Sequence, residues 1–125
     1  MATNYIQDGA VIDWTNGGTA VSSGDVVAIG TNGDAILGVA LVDIANGATG
    51  SVQIEGVFSV PKADAAVIAV GEFVTWDASA GNFDDNAATP ATGDVSDGAF
   101  AIESKGATTS ETIKVKLTGR PGTLA

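Results

Sequence analysis

The chain has 125 residues, of which 45% are hydrophobic, 17 are glycine and only 6% are aromatic; 15 acidic residues face five basic ones, for a net charge of −10. This balance repels nucleic acid and anionic membrane, which are held by lysine and arginine. With no histidine and no cysteine, Ser–His–Asp and Cys–His catalysis, the usual zinc sites, disulfides and Fe–S clusters are all excluded, while the redox compartment stays open.

In chain order, residues 1–9 read as an extended arm, polar apart from Tyr5 and Ile6. They contain neither a basic n-region nor an apolar h-region, so no secretory signal is expected. A first strand is predicted over Ala10–Thr15, closed by the turn signal Asn16-Gly17-Gly18. Asp25–Gly30 and Ala35–Ile44 are the next strands, joined at Asn32-Gly33 as a hairpin. The second of these is apolar at both parities, which predicts a central position. Its apolar run, Ala35–Val42, is far too short to cross a bilayer.

Gly50–Lys62 carries the clearest pattern of the chain. Val52, Ile54, Phe58 and Val60 alternate with Gln53, Glu55 and Ser59, so one long strand is predicted with a dry face and a wet face. Gly56 interrupts the run without breaking parity, the mark of a bend or of a close backbone approach. Pro61 ends the strand or places it at an edge. Such half-wet strands belong to antiparallel sheets.

Lys62–Val70 is Ala-rich without alternation, so a short helix competes there with strand. Glu72–Asp77 is the next strand, and residues 78–97, rich in Ala, Gly, Asn, Asp and Thr, form an acidic excursion. Gly98–Ser104 and Glu111–Thr118 are the last strands; the tail 120–125 has no pattern that would order it. The expected fold is therefore all-β: a small antiparallel β-barrel or sandwich of about seven to eight short strands. In domain terms, an extended N-terminal arm (1–9) precedes a single β-domain (10–119, with the acidic loop at about 78–97) and a C-terminal tail (120–125).

A weak repeat runs through the chain. Gly24-Asp25-Val26-Val27, Gly38-Val39-Ala40 and Gly47-Ala48-Thr49 are followed in the same order by Gly71-Glu72-Phe73-Val74, Gly98-Ala99-Phe100 and Gly106-Ala107-Thr108. An internal duplication and chance recurrence in a Gly- and Ala-rich chain both account for it.

No residues converge on an obvious chemistry. Asp84, Asp85, Asp94 and Asp97 cluster in sequence, but a glycosidase needs two carboxylates fixed on rigid strand ends. Their spacing also departs from the EF-hand loop. No Gly-Lys dipeptide exists to build a phosphate loop. Trp14 and Trp76 are candidates either for a sugar-stacking platform or for caps on the core. No enzyme activity, cofactor or metal is expected.

Met1-Ala2-Thr3-Asn4-Tyr5-Ile6-Gln7-Asp8-Gly9, Ser23-Gly24-Asp25-Val26-Val27, Glu55-Gly56-Val57-Phe58-Ser59-Val60-Pro61-Lys62, Thr75-Trp76-Asp77-Ala78-Ser79-Ala80-Gly81 and Val115-Lys116-Leu117-Thr118-Gly119 stand in one order along the chain. In that order they resemble the capsid cement, or head decoration, family of tailed phages and prophages. The resemblance covers about residues 1–119. Some members have carried a recombinase label, which the missing phosphate loop and the net charge argue against.

The resemblance implies a structural virion protein on the outer surface of the expanded head. It would bridge major capsid subunits against the pressure of packaged DNA, with no direct contact to nucleic acid or membrane. It also implies a homo-oligomer, a dimer or a trimer according to the symmetry axis occupied. Thr3, Asn4, Tyr5, Ile6 and Gln7 are the expected capsid anchor, an arm able to add a strand to an exposed sheet edge. The alternatives are a surface-displayed carbohydrate- or cell-binding module, using Trp14 or Trp76, and a tail structural subunit.

Overall fold

Strand-forming runs bounded by glycine turns make up the regular structure of the computed structural model, which describes residues 3–4, 9–109 and 111–125. Ten strands follow one another: β1 Val11–Thr15, β2 Val26–Ile29, β3 Asp34–Ala40, β4 Thr49–Gln53, β5 Glu55–Pro61, β6 Phe73–Asp77, β7 Asn82–Asp84, β8 Val95–Ala101, β9 Thr112–Thr118 and β10 Gly122–Leu124. The described residues contain no helix. All strand ladders are antiparallel, and the connected sheet runs β1-β4-β3-β10-β8-β6-β7, with β2 on β3 and with β9 joining β5 to β8. The all-β expectation holds. The sheet is an open path and does not close into a barrel.

The alternating segment 50–62 is two strands rather than one. β4 pairs with β1 and β3, whereas among the described residues β5 pairs only with β9. The parity survives the break, with Val52, Ile54 and Val60 all buried. The break falls at Ile54, and two residues on Gly56, already inside β5, has a φ of 125° that is open to glycine but not to side-chain-bearing residues. Over Lys62–Val70 no helix forms; Lys62 bridges Phe83 and Ile68 bridges Lys105 instead. Two short strands arise where the pattern predicts none, β7 in the acidic excursion and β10 in the tail.

The two halves of the chain repeat one pairing scheme. In the first the spatial order is β1-β4-β3-β2, and in the second it is β5-β9-β8-β6. The hydrogen bonds match atom for atom. Gly24 N–H donates to Ala40 O and Ala40 N–H to Asp25 O; Gly71 N–H donates to Ala101 O and Ala101 N–H to Glu72 O. The reciprocal pair between Val21 and Ile44 recurs between Ile68 and Lys105. Even a turn cap is shared: the Asp25 carboxylate accepts from Ser22 N–H, and the Glu72 carboxylate from Ala69 N–H.

This pattern aligns Ala40 with Ala101, one residue away from the match of Gly38 with Gly98 that the sequence offers. The offset comes from an irregularity in the β6–β8 ladder between Val74 and Trp76. Opposite it lies Asp97, in the left-handed region with φ 63°.

β10 joins the halves. Gly122 and Thr123 pair with Ala35 and Asp34 of β3, while Thr123 and Leu124 pair with Ser96 and Val95 of β8. β3 is buried on both faces, as its sequence predicts. Ala35, Leu37 and Val39 join the core of the second half, with Phe83, Val95 and Leu117. Ala40 joins a smaller cluster inside the first half, with Val27, Ile44, Val52 and Ile54.

Candidate binding surface

Of the five expected anchor residues, Thr3 and Asn4 are exposed, while Tyr5, Ile6 and Gln7 lie outside the described residues. The described body resumes at Gly9 and Ala10. Ala10 O accepts Ile54 N–H at 2.9 Å, so the root of the arm sits beside the junction of β4 and β5.

The acidic excursion is spent on its own backbone. Asp94 is buried, its two carboxylate oxygens accepting from Ala78 N–H at 3.1 Å and Ala91 N–H at 2.9 Å. Asp85 accepts from Ala87 N–H and Asp84 from Asp85 N–H. Asp77 closes the preceding turn. The Ser79 hydroxyl and then the Ala80 N–H hold its carboxyl below the ordinary aspartate value of 3.8. Among the described residues no group of acidic side chains is arranged to hold a metal ion.

Trp76 is 8% exposed and packs on Phe83, ring centroids 5.1 Å apart, which leaves little of its ring for stacking on a sugar. Trp14 is half-buried against the smaller core. A cavity of about 320 Å³ is lined by residues including Val21, Asp25, Val26 and Trp76. Its one carboxylate, Asp25, is already engaged with Ser22 N–H. That is too few polar groups to orient a ligand.

The outward face of the second half is different. Cross-strand pairing sets Phe73 of β6 beside Phe100 of β8, Phe100 beside Lys116 of β9, and Lys116 beside Val57 of β5. The two phenylalanine rings meet edge to face, 6.4 Å apart. Ile102 N–H donates to Lys114 O at 3.0 Å, which puts Ile102 next to the second lysine on the same face. Phe73 is 45% exposed, Val57 50% and Ile102 38%.

At one end of this face a cavity of about 370 Å³ is lined by Phe73, Asp97, Thr118 and Arg120, among others. Three of the five basic residues of the chain, Lys114, Lys116 and Arg120, therefore belong to this face and its rim. The matching positions in the first half are the partly buried Val26 and the buried Val39, which pack into the shared core. Sequence reading missed this surface, although Lys114 and Lys116 alternating with Ile113, Val115 and Leu117 is a legible signal of it.

The described residues thus combine an all-β body, capped acidic turns and an exposed sheet face that sets apolar side chains beside two lysines. A comparison with family models matches residues 6–117 to the phage cement protein family. The chain belongs to that family. Among curated proteins no match is found.

Proposed function

We propose that this protein lies on the outer surface of the expanded phage head and bridges neighbouring major capsid subunits, resisting the outward pressure of packaged DNA. The observation that carries the reading is membership of the phage cement family over residues 6–117. An acidic β-body without converging catalytic groups fits a role that requires no chemistry. Multivalency supplies the physics, because individually weak contacts become effective when several are made at once on a repeating lattice.

Within this reading, Thr3–Gln7 is the anchor on the capsid subunit, and residues 1–9, 10–119 and 120–125 act as arm, β-domain and tail. The protein works as a dimer or trimer, according to the symmetry position it occupies. Deleting residues 2–7 is expected to abolish head binding while circular dichroism and thermal unfolding stay unchanged. Undiminished binding would remove the arm from the account.

The test of the role itself is co-sedimentation with expanded heads that lack the protein. Saturation at a fixed ratio to capsid subunits, with improved survival of heat, is the expected result. Failure to co-sediment would end the cement reading.

A further inference from the structure

We infer that the outward face of β5, β9, β8 and β6 is the surface that meets the capsid, and that it docks an acidic strip of the capsid subunit bearing apolar side chains. This rests on the cement reading above.

The first argument is charge. The chain carries −10 overall, yet three of its five basic residues lie on or beside this one face. Lys114 and Lys116 are exposed, and among the described residues neither has an ion-pair partner. Glu55 opposite Thr118, Asp97 beside Arg120 and Glu103 at Lys114 N–H lie around its edge, leaving the two lysines as the charge at its centre, and a basic centre on so acidic a body selects an acidic strip on a partner. Two copies meeting face to face would set lysine against lysine, so an isologous self-contact is disfavoured.

The second argument is apolar area. Val57, Phe73 and Ile102 are all more than one-third exposed, and pairing places them in adjacent rows with the lysines and Phe100. Aromatic anchors ringed by polar groups are the usual composition of a binding centre. The same rows in the first half are covered by the shared core, so this sheet geometry already accommodates a packed partner there.

The third argument is continuity. Ala10, where the arm enters the body, is bonded to Ile54, and β5 begins at the next residue as the border strand of the face. The arm root thus adjoins the border strand of the face.

The test uses the full-length protein and expanded heads lacking it. Lys114→Glu/Lys116→Glu and the charge-neutral pair Val57→Ser/Ile102→Ser are compared with two controls. Leu41→Ser/Val42→Ser removes exposed apolar residues from the first half, and Lys105→Glu makes a charge reversal off the face. Circular dichroism establishes that each variant folds. Both face variants are expected to weaken co-sedimentation by about tenfold or more, and wild-type binding to weaken with salt, while the controls stay within about twofold of wild type.

Wild-type binding by the face variants would overturn the assignment. Face variants that lose self-association in analytical ultracentrifugation but keep head binding would give the face to a second copy instead. Wild-type protein that fails to bind heads would overturn the cement reading itself, a result distinct from either.

Discussion

Two buried polar side chains show how single residues hold this protein in shape. Asn16 and Lys62 occupy matching places, each following the strand that opens its half. Asn16 Nδ2 donates to Thr19 O at 2.9 Å and Ile44 O at 3.0 Å. Lys62 Nζ donates to Ala63 O at 2.6 Å and Ala66 O at 2.8 Å. Each adds side-chain donors to the carbonyls of its irregular connection, Ile44 O and Ala63 O among them also accepting from the backbone. Lys62→Met preserves much of the volume and removes the donors, so it is expected to cost about 1–3 kcal/mol in denaturant unfolding. An unchanged midpoint would mean that water reaches those carbonyls. Asp77 gives a pH signature at the same scale. Its carboxyl is held below the ordinary value of 3.8 by the Ser79 hydroxyl and the Ala80 amide. A depressed folded value stabilises the turn above the ordinary value, and that contribution is lost as pH falls through the depressed one. The carbon shift of the Asp77 carboxyl should titrate below 3.8, and amide protection at Ser79 and Ala80 should fall with it.

Among the elements, the three-residue β10 pairs with a strand of each half. Its residues connect β3 to β8, and Ala125 N–H donates to Asp94 O while Gly93 N–H donates to Ala125 O, tying the last residue to the acidic excursion. Gly122 is required by the closeness of that seam. A Cβ there would lie 2.3 Å from Ser96 O and 2.8 Å from Gly98 N, both backbone atoms. Gly122→Ala is therefore expected to destabilise by about 1–3 kcal/mol. Truncation after Arg120 should lower Tm by about 5 °C or more. It should also expose the paired edges of β3 and β8, seen as aggregation on heating. A truncated chain with wild-type Tm would show that the halves hold together by core packing alone.

At the scale of the whole molecule, the repeated pairing scheme explains why the two halves end with different surfaces. Both build the same four-stranded unit, and the outer rows of the first half are consumed in the contact between halves. Those of the second half are left facing outward, with Phe73 and Phe100 where the first half has Val26 and Val39. A tandem unit packed this way keeps one sheet face free. Under the proposed cement role, a free face and an adjacent arm would give two contacts per copy on a lattice. Deleting the arm and reversing Lys114 and Lys116 should then reduce head binding by more together than either does alone, measured as bound copies per head.

Strands whose burial follows local alternation were legible from the sequence. β1, β2, β6, β8 and β9 fall within about three residues of their expected places; β3 ends at Ala40, four residues short of the expected Ile44, but its double-faced apolar pattern foretold its central position. The motif order that marks the cement family was legible for the same reason, since motifs are local. Alternation shows that a segment is extended but not which strand it pairs with. The continuous parity of 50–62 therefore concealed a break at Ile54 between strands of different halves. β7 and β10 are three residues each, too short to carry a period, and they are ordered by the backbones beside them. Helix or strand over Lys62–Val70 was settled by distant partners, Phe83 and Lys105. The duplication was a weak echo in the sequence because hydrogen-bond geometry constrains backbone positions and leaves most side chains free to diverge. The sequence by itself determined an acidic, antiparallel, all-β protein of the cement family. Only the tertiary structure decided that its halves are laced by the C-terminal strand and that one apolar, basic face remains uncovered, because both depend on contacts between residues far apart in the chain.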